Sequence, residues 1–258
     1  YYCDSGSGSA TEEECPVGHY CPKGITAPIA CNAGTFNPST GSETIDDCLP
    51  CTAGSYCETE GLGDVTGLCT AGFYCPSGSI FSTAEVCPEG FYCPSGSANP
   101  VGCNDGTYQP NEGQASCILC AASFYCFKND TSVAMIPLPC PVGSYCPEGT
   151  GVPLDCPLGY YDEVGSLSDI NQCAACPAGV YCTNGQIKGN CTAGYLCSSA
   201  NYQASPIYEN YPNDTTIVGD LCPAGYYCPQ GTIEAIPCPF NTIRETKGAA
   251  IVEECLTC

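Results

Sequence analysis

Cysteine is the residue type whose frequency and spacing could carry chemistry in this chain. There are 28 cysteines among 258 residues. A redox-active Cys-x2-Cys pair needs a helix N-terminus or a cation to activate its thiol, and zinc needs two such pairs close together. The sequence offers neither arrangement, so we interpret the pairs as members of a disulfide framework. These pairs are Cys48/Cys51, Cys117/Cys120, Cys173/Cys176 and Cys255/Cys258.

The overall composition restricts the compartment and the class of function. Cysteine at this density is typical of secreted proteins, so we predict an extracellular location, at the cell surface or on an appendage. The formal net charge of −22 disfavours nucleic acids and anionic membranes as partners. No apolar run approaches the ~20 residues of a membrane helix, and no catalytic triad or phosphate loop is evident. We predict neither membrane insertion in this segment nor enzymatic activity.

One short phrase recurs along the whole chain, and each copy is called a repeat below. A repeat opens with a cysteine, has glycine three residues later and has an aromatic residue two residues after that, as in Cys15, Gly18 and Tyr20. In most repeats a second cysteine follows directly, as Cys21 does. The thirteen repeats open at Cys15, Cys31, Cys51, Cys69, Cys87, Cys103, Cys120, Cys140, Cys156, Cys176, Cys191, Cys222 and Cys238.

Each part of the phrase has a physical reason. Glycine permits a positive φ in a tight turn, and the proline that often follows the opening cysteine fixes φ at the entry. We expect the aromatic residue to supply most of a small core, packed on a neighbouring disulfide. The predicted fold class is small and disulfide-rich, mostly irregular with short β-hairpins. We expect the repeats to form an elongated rod in which each contacts only its neighbours.

The cysteine spacings define two kinds of module. A long module, Cys-x5-Cys-x9-Cys-x16-Cys-x2-Cys, begins at Cys15, Cys140 and Cys222, and a shortened form begins at Cys87. A short module is Cys-x5-Cys followed by a variable loop. Their order predicts a super-repeat over 15–139 and a second one over 140–258, with 1–14 as the second half of a short module. We expect an array that continues past both ends; a linear chain trimmed at convenient places is the alternative.

The disulfide connectivity is not fixed by the sequence. If each large loop closes on itself, the remaining cysteines of the interior fall into even sets. Those closures are Cys31–Cys48, Cys103–Cys117, Cys156–Cys173 and Cys238–Cys255. Cys3, Cys15, Cys21 and Cys258 are then left as candidates for a disulfide between segments, and we hypothesise that Cys258 pairs with a cysteine of the next segment.

Other residues could carry modification or binding. Sequons predict N-linked glycans at Asn129 and Asn213, and at Asn190, whose sequon contains a cysteine. The longest loop carries Tyr202, Tyr208 and Tyr211, a candidate lateral contact unless the loop folds back on its own module. Acidic clusters such as Asp162–Glu163 could bind calcium, but there is no Asp-x-Asp-x-Asp-Gly loop. We therefore favour a solvated acidic face and predict no cofactor and no metal.

The phrase Cys-Pro-x-Gly-x-Tyr-Cys-Pro-x-Gly, with Cys31–Phe36 before Cys48/Cys51 and Cys103–Tyr108 before Cys117/Cys120, resembles known modules. It is similar to the cysteine-rich EGF-like modules of ephrin receptors and of tumour-necrosis-factor receptors. Long arrays of this kind resemble surface proteins of protists and algae, including those of flagellar hairs (mastigonemes). Departures from the phrase are Ser123 and Asn241 for glycine, and Leu196 and Ile243 for the aromatic residue.

The resemblance implies an elongated, glycosylated, extracellular structural protein. We predict that the chain forms or extends a rigid disulfide-stapled filament or surface appendage. Its expected partners are itself, as a homopolymer or a continuing chain, and N-linked glycans. The alternative is the ligand-binding ectodomain of a cell-surface receptor, because the same modules serve receptors.

Overall fold

The structure is a computed structural model that describes residues 1–2, 13–127, 136–207 and 219–258. These residues form thirteen separate two-stranded antiparallel sheets. The strands are β1 (His19–Tyr20), β2 (Ile29–Ala30), β3 (Thr35–Phe36), β4 (Leu49–Pro50), β5 (Ser55–Tyr56), β6 (Gly67–Leu68), β7 (Phe73–Tyr74), β8 (Glu85–Val86), β9 (Phe91–Tyr92), β10 (Val101–Gly102), β11 (Thr107–Tyr108), β12 (Ile118–Leu119), β13 (Phe124–Tyr125), β14 (Leu138–Pro139), β15 (Ser144–Tyr145), β16 (Leu154–Asp155), β17 (Tyr160–Tyr161), β18 (Ala174–Ala175), β19 (Val180–Thr183), β20 (Gln186–Asn190), β21 (Tyr195–Cys197), β22 (Gly219–Leu221), β23 (Tyr226–Tyr227), β24 (Ile236–Pro237), β25 (Thr242–Ile243) and β26 (Leu256–Thr257).

Each repeat forms one hairpin, and the register is the same throughout. The residue five after an opening cysteine pairs with the residue two before the next opening cysteine, as Tyr20 pairs with Ile29 ahead of Cys31. The glycine three residues after the opening cysteine has a positive φ, for example +86° at Gly34, which fits the tight turn predicted there. The predicted fold of small modules with short β-hairpins is confirmed.

Three short 3₁₀ helices lie in the described residues: η1 (Ile45–Asp47), η2 (Ile170–Gln172) and η3 (Val252–Glu254). Each comes directly before the cysteine that closes a large loop. In each, the last residue caps the turn with its side chain: Asp47 accepts from the Thr44 amide at 2.9 Å and Gln172 from the equivalent Asp169 amide, whereas Glu254 accepts from the Ala250 amide, four residues before it. The caps fix the return of the loop to its disulfide.

The buried core consists of sulfur rather than of aromatic rings. Among the described residues, the buried apolar side chains are those of cysteines, with Ala249 and Pro206 as the two others. The aromatic residues of the repeats, such as Tyr20 and Tyr56, are only half-buried. The prediction that they supply most of the core is therefore wrong, because a hairpin of two residues per strand leaves one side of the ring open to solvent.

The chain divides into two compact units. The first contains Tyr1–Leu119 with Lys128–Ile136, and the second contains Cys120–Phe127 with Pro137–Cys258. The super-repeats over 15–139 and 140–258, and the elongation of the whole array, stay predictions. None of the helices in the described ranges has the length and apolar character that crossing a membrane requires.

Candidate functional site

Each disulfide in the described residues closes within a single repeat. Where a repeat has Cys-x5-Cys, the opening cysteine pairs with the second one, as Cys51 does with Cys57. Where the second cysteine is missing, the opening cysteine closes the large loop, and the structure forms the four pairs that the spacing suggested. These are Cys31–Cys48, Cys103–Cys117, Cys156–Cys173 and Cys238–Cys255.

The structure leaves fewer cysteines as candidates for a disulfide between segments. Cys15 pairs with Cys21, so these two are not available for such a bond, which corrects our expectation. The reason is local: the two cysteines are six positions apart, the same separation that closes the other Cys-x5-Cys repeats. Cys258 has a free, exposed thiol. Cys3 lies outside the described residues.

Since no described disulfide joins two repeats, the junctions between repeats depend on backbone hydrogen bonds. Four bonds connect each repeat to the next. Between the repeats that open at Cys31 and Cys51 they are Cys51 N to Gly34 O (2.8 Å), Gly34 N to Cys57 O (2.9 Å), Asn37 N to Leu62 O (2.9 Å) and Gly61 N to Cys31 O (2.9 Å). Within the compact units, the same set recurs at every described junction except the two that flank the repeat opening at Cys156.

Contacts also reach the second neighbour. A Cβ placed on Gly34 would lie 2.8 Å from the carbonyl oxygen of Gly78, two repeats further along the chain. The same approach occurs at Gly143 with Gly185 and at Gly194 with Gly248. The expectation that each repeat contacts only its neighbours is therefore wrong within the compact units. The cause is the loop that follows the second cysteine position of a repeat. In the example of Gly78, this loop lies against the glycine turn of the repeat two before its own.

A buried polar side chain replaces the second cysteine in the repeats that lack it. Asn37, Gln109 and Asp162 stand at this position, and each is buried. Each accepts a hydrogen bond from the amide two residues later: Ser39 at 3.0 Å, Asn111 at 3.2 Å and Val164 at 3.0 Å, in that order. The side chain thus holds by hydrogen bonds the turn that a disulfide holds elsewhere.

The fourth repeat of this kind uses a different arrangement. Arg244 has no acceptor oxygen, and its guanidinium instead lies 3.4 Å from the Glu254 carboxylate. Glu254 also accepts from the Ala250 amide at 3.1 Å, so the ion pair connects the start of the large loop to its end. The sequence signal for these residues was visible, since each follows the aromatic position where a cysteine usually stands, but sequence reasoning did not use it.

Of the other candidate residues, Asn190, Tyr202 and Asp162 lie in the described part of the chain. Asn190 is exposed in β20, beside the bonded Cys191. Tyr202 is half-exposed, whereas Tyr208, Tyr211, Asn129 and Asn213 lie outside the described residues. The Asp162 carboxylate already accepts from the amides of Gly143, Val164 and Gly165. In the part of the chain that the structure describes, no group of three or more His, Cys, Asp or Glu side chains could hold a metal ion.

Comparison with known families agrees with this module geometry. Residues 90–131 match the family model described as tyrosine-protein kinase ephrin type A/B receptor-like. This stretch is similar to the ephrin-receptor-like cysteine-rich module. The matched stretch includes three of the four bonds of the junction between the repeats that open at Cys87 and Cys103; the fourth is accepted by the Cys87 carbonyl, just before the stretch. No curated protein matches the chain. The ephrin-receptor-like module and the tandem disulfides indicate an extracellular, disulfide-rich domain built from tandem cysteine-rich repeats.

Proposed function

We propose that this chain is an extracellular structural element that forms or extends a filament or surface appendage, and that it has no catalytic role. The observation that carries the proposal is the recurring junction of four backbone hydrogen bonds. Because these bonds are made by main-chain atoms, repeats of different sequence can stack in the same way, and side chains such as Asn37 add to individual junctions. An array of such junctions can be extended without a change in geometry.

In the proposed mechanism, the rigidity of the array has two sources, one within each repeat and one between repeats. Inside a repeat, the disulfide limits the unfolded states, which is worth about 2 kcal/mol for a six-residue separation and about 3 kcal/mol for the large loops in the chain-entropy model. Between repeats, hydrogen bonds and second-neighbour contacts hold the stacking angle. The net charge of −22, with N-linked glycans proposed at Asn129, Asn190 and Asn213, would keep neighbouring arrays from sticking nonspecifically.

Two further contacts belong to this proposal. The exposed Cys258 thiol is available for a disulfide with a cysteine of another segment, which non-reducing mass spectrometry of its peptide would detect. The tyrosines Tyr202, Tyr208 and Tyr211 are the proposed lateral contact between arrays.

Electron microscopy of the native material tests the proposal. Fibres with a regular axial repeat that shorten or disperse on reduction, but not on alkylation alone, are the expected result. Single short particles under all conditions would contradict it.

A receptor ectodomain is the second candidate, because residues 90–131 match a model named for a receptor kinase. A receptor predicts single particles that bind a defined ligand with saturable affinity. A filament protein predicts self-association instead. Experiments on one purified sample therefore distinguish the two candidate functions.

A further inference from the structure

The disulfide between Cys191 and Cys197 has a side-chain amide directed at both of its sulfur atoms. The Asn201 side-chain nitrogen lies 3.3 Å from Cys191 Sγ and 3.2 Å from Cys197 Sγ, and it donates to the Gln203 carbonyl at 2.6 Å. The short distance to a carbonyl oxygen identifies the nitrogen end of the amide, because only a donor is attracted there. With one N–H group on Gln203, the amide directs its other N–H group towards the disulfide.

The oxygen end of the same amide has no partner. Asn201 is almost fully buried, with an exposed fraction of 1%, and within the described residues no hydrogen bond reaches its side-chain oxygen. A buried acceptor without a donor costs free energy. Since disulfide sulfur is also a weak hydrogen-bond acceptor, neither end of the amide is fully satisfied while the disulfide is closed.

The matched position in other repeats has a different arrangement. Thr150 stands four residues after Cys146, as Asn201 stands four residues after Cys197. The Thr150 hydroxyl donates to the Pro147 carbonyl at 2.6 Å and so stabilises its own turn. Asn201 departs from this pattern because its side chain contacts the sulfur atoms instead. Three more repeats make the bond seen at Thr150, through Ser79, Ser97 and Thr232.

From these contacts we infer that Cys191–Cys197 is a redox site of the chain, reduced by a dithiol more readily than the other Cys-x5-Cys disulfides. Reduction supplies the partners that the buried amide lacks. A thiolate is a strong acceptor for the Asn201 N–H group, and a thiol S–H group is a donor for its unpartnered oxygen. The closed disulfide offers neither, so Asn201 stabilises the reduced state relative to the closed one and raises the reduction potential.

The exchange balances with the dithiol as the reductant. Both cysteines are buried, so attack follows a local opening of the loop. One thiolate of the dithiol attacks Cys191 Sγ, the S–S bond breaks, and Cys197 leaves as a thiolate that the Asn201 N–H group stabilises. The second thiolate of the dithiol then attacks its own sulfur in the mixed disulfide and releases Cys191. Two electrons and the two protons of the dithiol end on the cysteines, and the reductant leaves as a disulfide.

Reduction of this disulfide acts on both neighbouring junctions. The Cys197 carbonyl accepts from the Gly179 amide at 3.1 Å, and the Cys191 carbonyl accepts from the Gly231 amide at 3.0 Å. When the disulfide opens, the covalent link between these two acceptors is lost, and the repeat becomes a hinge under the control of the reductant. Such a hinge goes beyond the proposed function, since it can serve a filament and a receptor ectodomain alike.

A redox titration with reduced and oxidised dithiothreitol tests the site. Acid quenching, differential alkylation and mass spectrometry give the reduced fraction of each disulfide. Cys191–Cys197 should be half-reduced at a ratio of dithiol to disulfide about tenfold lower than Cys140–Cys146, which corresponds to about 30 mV for a two-electron couple. Its midpoint should also fall less steeply as the pH rises above neutral, because a stabilised thiolate leaves fewer protons to be taken up on reduction.

Asn201→Leu separates this role from a structural one. Loss of the amide should lower the midpoint potential, so that an about tenfold higher ratio of dithiol is needed for half-reduction. A side chain that only held the loop would have the opposite effect, because a loosened loop makes its disulfide easier to reduce. Thr150→Val is the matched control: it removes the hydroxyl at the same place in the Cys140–Cys146 repeat and should leave the Cys191–Cys197 midpoint unchanged.

Amide exchange verifies the fold and the hinge. The Cys182 amide donates to the main-chain carbonyl of Asn201 at 2.9 Å, and its protection should persist in oxidised Asn201→Leu. If that protection is lost, the pH dependence of the parent decides. At the ratio that opens Cys191–Cys197 in the parent, exchange at Gly179 and Gly231 should accelerate.

Four results would each overturn the inference. They are coincident midpoints of Cys191–Cys197 and Cys140–Cys146, the same pH dependence for both disulfides, a midpoint that is unchanged or raised in folded Asn201→Leu, and unchanged exchange at Gly179 and Gly231 after the disulfide opens.

Discussion

The side-chain amide of Asn37 donates to the carbonyl oxygen of His19 at 2.9 Å, and this bond joins two repeats that no disulfide connects. The same amide donates to the Ser42 hydroxyl at 2.8 Å, and the side-chain oxygen accepts from the Ser39 amide. Asn37 is almost fully buried, with an exposed fraction of 1%. It therefore replaces a cysteine inside its own repeat and at the same time connects that repeat to the one before it.

Replacement of Asn37 by alanine should loosen this junction. Three side-chain hydrogen bonds are lost from a buried position, and each is worth about 0.5–1.5 kcal/mol net. We expect a loss of about 2–4 kcal/mol in local stability, which lowers the hydrogen-exchange protection of the Gly18 and Cys21 amides by roughly 30- to 1000-fold. Both amides donate across this junction.

Asn32→Ala is the matched control, because Asn32 belongs to the same repeat and its side chain is exposed. Exchange at Gly18 and Cys21 should be unchanged in this variant. Equal effects of the two substitutions would show that the buried asparagine does not hold the junction.

The energetic contribution of the second-neighbour contact can be measured separately from the cost of placing alanine at a positive φ. Gly34 and Gly225 have φ values of +86° and +87°, so alanine is strained by about 1–2 kcal/mol at either position. Only at Gly34 would the new Cβ meet a carbonyl, that of Gly78 at 2.8 Å. We expect Gly34→Ala to cost about 1–3 kcal/mol more than Gly225→Ala.

Amide exchange in the monomer measures this difference. Gly78 donates to the Cys51 carbonyl, and its protection should fall in Gly34→Ala. The corresponding reporter for Gly225→Ala is the Gly248 amide, which donates to Cys222. Equal losses in the two variants would mean that backbone strain accounts for the whole effect and that the second-neighbour contact contributes nothing.

The sequence predicts the repeat and its hairpin because cysteine and glycine impose local geometry. The turn at Gly34 follows from the spacing, whereas the pairing of Cys51 with Cys57 does not, because the spacing left the connectivity of the Cys-x5-Cys pairs open. The reach of Gly34 to Gly78 could not be predicted, since it depends on the angle between successive repeats, which no local signal encodes. The half-exposed aromatic residues were also missed, because an aromatic ring beside a disulfide is normally read as core.

Asn37 and Asp162 show a second limit of prediction from the sequence. Polar residues are expected at the surface, and only the position of each one, directly after the aromatic residue, indicates that it replaces a cysteine. A comparison of the repeats column by column would have revealed this position. The Arg244–Glu254 ion pair would still have been missed, because its partner lies at the far end of the large loop.

The disulfides should be reduced in a defined order. Cys48, Cys117 and Cys238, each in a large-loop pair, are only half-buried, whereas Cys51 and Cys57 are fully buried. Thiol–disulfide exchange requires access of the attacking thiolate to sulfur. With limiting reductant, the pairs Cys31–Cys48, Cys103–Cys117 and Cys238–Cys255 should therefore open before the Cys-x5-Cys pairs.

Differential alkylation followed by mass spectrometry measures this order, and Cys258, which is already free, serves as the internal control for complete labelling. Full reduction should then abolish the amide protection of all the hairpins, because the core is made of the bonded cysteines. Early opening of Cys51–Cys57, or hairpins that persist after full reduction, would contradict the assignment of the core to sulfur.

The η1 turn provides a prediction about pH. The Thr44 amide donates to the Asp47 carboxylate at 2.9 Å, and with the Glu43 amide it holds the pKa of Asp47 below its usual value of 3.8. A carboxyl group whose pKa is lower in the folded state stabilises that state above the unfolded pKa, and the contribution is lost as the pH falls through the folded pKa. The turn before Cys48 should therefore loosen only in acid, below the usual range for aspartate.

An NMR titration of the Asp47 side-chain carbon tests this, with the reduced and alkylated chain as the unfolded reference. The pKa should be lower in the folded protein. In Thr44→Val, which removes the hydroxyl donor at 3.3 Å but keeps the backbone amide, most of the shift should remain, since the Thr44 amide is its largest cause. Identical titration curves in the folded and unfolded chains would show that the carboxylate does not cap the turn in solution.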